Sequence, residues 1–187
     1  ALDYYHTRFV NQVVMDLDKS ANEVLFYNLD GKSYSNAAQL DINIEPFDRF
    51  NITLAGRYND VKTTYHGELM EKSYVAKWKG LVVLSYKTKY DKWMFDLTTQ
   101  FNGKQRIPLN VGYKKDYADA YIYMLAQITR KFKNFDIYVG AENLTDYKQD
   151  TPVFGADQPF SQHFDASVVY APVMGRLFYL GFRLNIK

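Results

Sequence analysis

Cysteine is absent from the 187 residues, which excludes a disulfide framework and any thiolate metal site. No apolar run reaches the ~18 residues of a membrane-spanning helix, and the mean hydropathy is −0.38. A strand-built membrane barrel is not excluded by these values, because its alternating strands average to a polar composition. Charge of one sign is also missing. Lys and Arg number 23 against 21 Asp and Glu, a formal net charge of +2, so the charge balance points to no nucleic-acid partner and no acidic substrate. Proline and glycine are sparse, at 5 and 10 residues, and no Pro/Gly linker or low-complexity tract divides the chain. The length reads as one domain or a piece of a larger one. The opening Ala1-Leu2-Asp3-Tyr4-Tyr5 has no basic region followed by an apolar core, so export would rest on a signal upstream.

What the chain has instead is aromatic residues, 17% of the total with 17 Tyr and 13 Phe, and a period of two. Leu40, Ile42 and Ile44 alternate with Gln39, Asp41 and Asn43. Phe95 and Leu97 alternate with Asp96, Ile137 and Val139 with Asp136, and Leu180 and Phe182 with polar or small neighbours. Such alternation marks strands with one apolar and one polar face. Eight strands are predicted, at about 5–16, 34–45, 49–61, 74–88, 92–102, 118–130, 134–143 and 176–186. Three connections are tight: Pro46-Phe47-Asp48, Lys89-Tyr90-Asp91 and Lys131-Phe132-Lys133. Four are long: about 17–33, 62–73, 103–117 and 144–175. Counted from the end, the tight turns fall on one edge and the long loops on the other.

That layout predicts an all-β fold, an antiparallel transmembrane β-barrel segment with short periplasmic turns and long extracellular loops. Its lipid-facing residues are Leu40, Ile42, Ile44, Phe95, Leu97, Ile137, Val139, Leu180 and Phe182, and its lumen-facing residues are Gln39, Asp41, Asn43, Asp96 and Asp136. Aromatics sit beside the tight turns (Phe50, Tyr86, Trp93, Phe135) and near the loop ends (Tyr58, Tyr74, Phe101), as the two lipid–water boundaries require. Two other architectures stay open at this point. One is a self-contained eight-stranded membrane barrel acting as an anchor or adhesin. The other is a soluble β-barrel that binds a small ligand, with the apolar face turned inward.

No catalytic constellation is predicted. Asp41 with Glu45, and Asp136 with Glu142, fall on the polar face at strand spacing and read as a hydrated wall. Ser161, His163 and Asp165 are near neighbours in one loop, unlike a triad drawn from separate parts of a fold. The basic and aromatic residues Lys87, Lys89, Tyr90, Lys92 and Trp93 read as an interfacial turn with lysines reaching toward headgroups. His66 and His163 lie in long loops without metal-ligand spacing. They are kept as candidate ligand contacts, with no metal and no cofactor assigned. Phe160, in the proline- and phenylalanine-rich loop 144–175, is the third candidate, because a loop of aromatics can order over a ligand.

Two motifs in the last third carry a family resemblance. Ile137-Tyr138-Val139-Gly140-Ala141-Glu142-Asn143-Leu144-Thr145-Asp146-Tyr147 resembles the penultimate strand and turn of TonB-dependent receptors. Pro172-Val173-Met174-Gly175-Arg176 through Arg183 is similar to their closing strand. The chain ends in Asn185-Ile186-Lys187, where that family often ends in an aromatic residue. The resemblance implies the C-terminal part of a barrel of about 22 strands around a plug, with the plug and the N-terminal strands outside this chain. It also implies residence in the bacterial outer membrane and energy-coupled uptake of a scarce small molecule through the TonB complex. Metal chelates, haem and cobalamin are favoured over glycans.

Overall fold

The computed structural model describes residues 1–20, 23–108, 116–161 and 164–184. In chain order its strands are β1 (Leu2–Phe9), β2 (Val13–Ser20), β3 (Glu23–Asn28), β4 (Ser33–Phe47), β5 (Phe50–Tyr65), β6 (Glu68–Glu71), β7 (Trp78–Lys87), β8 (Trp93–Asn102), β9 (Gln105–Arg106), β10 (Tyr117–Ala118), β11 (Tyr121–Lys131), β12 (Phe135–Glu142) and β13 (Leu177–Leu184). Eight of them form a single antiparallel path, β1-β4-β5-β7-β8-β11-β12-β13, to which β6 adds by pairing with the end of β5. β1 and β13 are the two edges of this sheet. The remaining strands make two small ribbons, β2–β3 and β9–β10. No helix among the described residues is long and apolar enough to cross a membrane.

The eight predicted strands correspond to these eight, with one displaced. The expected strand 5–16 divides: β1 ends at Phe9, and Val13 onward pairs with β3, Val13 opposite Asn28 and Met15 opposite Phe26. Alternation over 5–16 is weak, with Thr7 and Asn11 on its apolar side, and no glycine or proline marks the bend. Tyr74, expected on a strand, precedes β7 with φ at 62°. The last predicted residues of the final strand lie outside the described residues.

Registers gather most of the apolar residues of the eight strands on one face, since directly paired residues share a side of the sheet, while Leu81, Val83 and Leu125 fall on the other. Leu2 pairs with Leu40, Ile42 with Leu54, and Leu54 with Val82. Leu84 pairs with Leu97, Phe95 with Ile128, Ile128 with Val139, and Val139 with Leu180. This face is the open one. Leu180 is 76% exposed and Val139 48%, while Asp136 on the other face is only 6% exposed. A water-soluble sheet shows the reverse. The buried apolar cluster of Ile107, Ala118 and Val168, with Tyr74, Phe154 and Tyr170 against it, belongs to the connections and not to the face of the sheet.

Aromatic rings bracket the apolar face. On three neighbouring strands they stand eight positions apart: Phe50 and Tyr58, Trp78 and Tyr86, Trp93 and Phe101. At about 3.3 Å per residue this is about 26 Å of strand, close to the height of an apolar membrane band. At the tight-turn end Phe47 stacks on Phe50, Phe132 on Phe135, and Trp93 on Phe95. At the other end Tyr58 meets Trp78 at 4.5 Å. The turns themselves need left-handed backbone, which Arg49 (φ 69°), Tyr90 (φ 61°) and Asp91 (φ 52°) adopt. On the polar face Tyr138 lies over Gly181 and Tyr179 over Gly140, where a Cβ would collide with each ring. Glycine in mid-strand is otherwise a weakness, and here the facing tyrosine covers it.

Candidate ligand-binding end

The described residues of the long connections gather at the end opposite the tight turns. Arg106, on β9, organises it. Its guanidinium makes two parallel bonds of 2.9 Å to Asp18 on β2, donates to the Glu71 carbonyl, and lies over the Tyr65 ring. Both ends of the ion pair are nearly inaccessible to water. A bidentate buried pair of this kind fixes geometry, and removal of one partner leaves a charge uncompensated. Asp16, two residues earlier on the same side of β2, is fully buried. It accepts from the Tyr27 hydroxyl at 2.9 Å and the Asp18 amide at 2.8 Å, and its Oδ2 lies 2.7 Å from His66 Nε2. Burial, followed by the Asp16 carboxylate, pushes the Tyr27 hydroxyl from 10.0 up to about 12.

The segment after β12 is tied to the same body. Tyr74 donates to the Ser167 carbonyl, Gln105 and Tyr121 to that of Tyr170, and the buried Gln149 to that of Val168. Burial, then the charges of Asp165 and Asp18, raise the Tyr74 hydroxyl to about 12. The loops therefore make a folded cap with its own small core. Lys77 and Glu71 add an ion pair nearer the surface.

The three candidates from the sequence differ in placement. His66 occupies the two-residue turn His66-Gly67 between β5 and β6, both residues with positive φ. Its ring contacts Tyr27 and its Nε2 bonds Asp16, yet its side chain is 61% exposed. Phe160 is fully exposed on the tip of the last loop, so it packs on nothing, His66 included. His163 lies outside the described residues. The polar-face residues do face together. Ser85 donates to Asp96 at 2.6 Å, Thr53 to Asn43 at 2.7 Å, Gln39 to Asp41 at 2.8 Å, and Asp136 pairs across the ladder with Arg183. No group of three His, Cys, Asp or Glu that could hold a metal occurs among the described residues.

Asp16, Asp18 and Arg106 were not singled out from the sequence. The one available signal was the spacing Asp16-x-Asp18 on one side of a strand, and nothing local announces a partner 88 residues away. By contrast, the two motifs that carried the family resemblance meet physically. Asn143, buried with φ at 51°, donates to the carbonyls of Tyr147 and Met174. The Asp146 carboxylate accepts the Arg176 amide at 2.8 Å, and the Arg176 guanidinium returns to the Leu144 carbonyl. The Asn-Leu-Thr-Asp turn and the Gly-Arg step are two halves of a clamp that sets β13 beside β12.

No family model matches the sequence, and no curated protein does. Solved structures match in fold. A mutant of the ferric enterobactin receptor PfeA of Pseudomonas aeruginosa is 16% identical, with a TM-score of 0.69 over 97% of this chain and 28% of its own. The siderophore receptor PiuA of Acinetobacter baumannii gives 18%, 0.60, 96% and 25%. BauA, the ferric preacinetobactin receptor of the same organism, gives 17%, 0.58, 97% and 26%. The chain has the fold of a part of the β-sheet of these receptors and spans about a quarter of their length.

Proposed function

We propose that this chain is the C-terminal part of the barrel wall of a TonB-dependent receptor in the bacterial outer membrane, and that the receptor imports a ferric siderophore. The observation that carries the reading is the inverted sheet: an open apolar face between two rows of rings, a polar face behind it, and one folded cap of loops. The fold likeness to receptors for ferric enterobactin and other siderophores supports the metal-chelate class over haem, cobalamin or glycans. In this reading the apolar face meets lipid, the polar face lines the lumen, and the cap with Phe160 and His66 faces the substrate from outside. The remaining strands and the plug complete the barrel, and the plug passes the pull of the TonB complex. The self-contained eight-stranded barrel requires β1 to pair with β13, and these two strands are the sheet's open edges. The soluble alternative requires the apolar face to be covered, and it is bare. A transporter that moves its ligand unaltered needs no catalytic groups.

The test is uptake of 55Fe-labelled ferric enterobactin by iron-starved cells that make the complete receptor as their single siderophore receptor, with and without TonB. TonB-dependent accumulation supports the reading. Uptake of haem or cobalamin with no ferric siderophore uptake would overturn the substrate class, and uptake unaffected by loss of TonB would overturn the mechanism.

A further inference from the structure

The tight-turn rim carries cations with no anion of their own. Arg130 is the clearest. It pairs in register with Trp93 on one side and Ile137 on the other, so it stands on the apolar face and not on the polar one. Its guanidinium lies 4.7 Å from the centre of the Trp93 ring and 5.4 Å from that of Phe132. Lys89, over the Tyr90 ring at 5.3 Å, and Lys92 and Lys133 lie in the two adjoining turns and are exposed. Asp91 shares a turn with Lys89 and Lys92 without forming an ion pair, and the other carboxylates at this end are placed elsewhere. Glu45 accepts the Arg49 amide, Asp136 is buried on the opposite face, and Asp48 is exposed in its own turn. Among the described residues no carboxylate forms an ion pair with Arg130, Lys89, Lys92 or Lys133.

A guanidinium close to two rings at the edge of an apolar band, with no carboxylate partner among the described residues, keeps N–H donors for a ligand, and its planar fork suits phosphate oxygens. We propose that Arg130, with Lys89, Lys92 and Lys133 around it, is a docking site for the phosphate headgroup of an anionic phospholipid in the leaflet that borders the tight turns. The rings of Trp93 and Phe132 position the cation and rest on the first carbons of the acyl chains. The inference deepens the proposed function, because it rests on the apolar face meeting lipid.

Tryptophan fluorescence tests it, since the chain has two tryptophans and Trp78→Phe leaves Trp93 alone to report. The complete receptor carrying Trp78→Phe, with any tryptophan outside this chain also replaced by Phe, is placed in phosphatidylcholine vesicles containing a small, fixed fraction of brominated lipid, either phosphatidylglycerol or phosphatidylcholine. The expected result is stronger quenching by the brominated phosphatidylglycerol, equal to a local enrichment of about fivefold, the worth of one cation at an anionic surface. Arg130→Gln should remove most of that preference, and Lys92→Gln with Lys133→Gln a smaller part. Free inorganic phosphate should not mimic the effect. Equal quenching by the two lipids overturns the headgroup site and leaves the membrane reading standing. Quenching by neither, with full quenching by aqueous acrylamide, overturns the site together with the membrane reading.

Discussion

Ile42→Arg is the substitution that most directly weighs the facing of the sheet. Ile42 pairs with Leu54, and Leu54 lies midway between Phe50 at one row of rings and Tyr58 at the other. The position is therefore at mid-height of the apolar band, and Ile42 is 38% exposed there. An arginine at the midplane of a membrane barrel's outer face costs about 2–4 kcal/mol, roughly a 30- to 700-fold shift in the folding equilibrium. The neighbouring Asn43 faces the other way and accepts the Thr53 hydroxyl at 2.7 Å. Asn43→Arg gives up that bond, for about 1 kcal/mol, but places its charge on the wet side. Reversible urea unfolding in phosphatidylcholine vesicles, followed by tryptophan emission, measures both variants against the parent at constant slope. Equal losses at the two positions, or a larger one at Asn43, would refute the facing.

Other consequences concern the cap. Arg106→Leu removes the bidentate guanidinium from the buried Asp18 carboxylate, a loss of about 3–5 kcal/mol. Hydrogen exchange should locate that loss in β2, β9 and β10 and leave β5 and β7 protected. Asp18→Leu in the same chain should restore part of the protection, and no restoration would assign the loss to packing instead. Tyr27 and Tyr74 titrate late because their folded values, about 12, lie above the ordinary 10.0. The folded cap holds those protons more tightly, so the stabilisation is complete below pH 10 and is lost as pH rises through about 12. Tyr27→Phe should remove part of the late rise in absorbance at 295 nm, and an unchanged late rise would contradict the burial argument. Phe160→Ala should leave stability within about 0.5 kcal/mol of the parent, because the ring touches nothing, yet weaken ferric enterobactin capture several-fold in a cell-binding assay. A deletion of 148–170 is a poorer probe, since it also takes Phe154, Val168 and Tyr170 out of the cap's core.

The long strands were legible because their alternation is a direct imprint of two different solvents on two faces. Leu40-Asp41-Ile42-Asn43-Ile44 can be read in isolation, and its register partners repeat the same message. The first strand is displaced because its alternation is weak and the bend between β1 and β2 has no glycine or proline to mark it. The cap was not legible. Its strands are as short as two residues, and its hydrogen bonds join residues far apart in sequence, as with Tyr74 and Ser167. His66 was visible as a loop histidine, but its bond to Asp16 depends on β2 folding back over the end of β5. The Asn143 and Arg176 motifs were visible as a signature, and the clamp they form follows once β12 and β13 are adjacent.

The central claim is that residues alternate between hydrocarbon and water along each strand, and the absence of cysteine makes it directly measurable. Single cysteines at 136 to 139 on β12 and 179 to 182 on β13, each carrying a nitroxide in vesicles, report collisions with oxygen, which concentrates in lipid, and with a water-soluble nickel chelate. The account predicts oxygen-rich signals at Ile137, Val139, Leu180 and Phe182, and chelate-rich signals at Asp136, Tyr138, Tyr179 and Gly181. Collision rates without a period of two, or with the two sets exchanged, would contradict it.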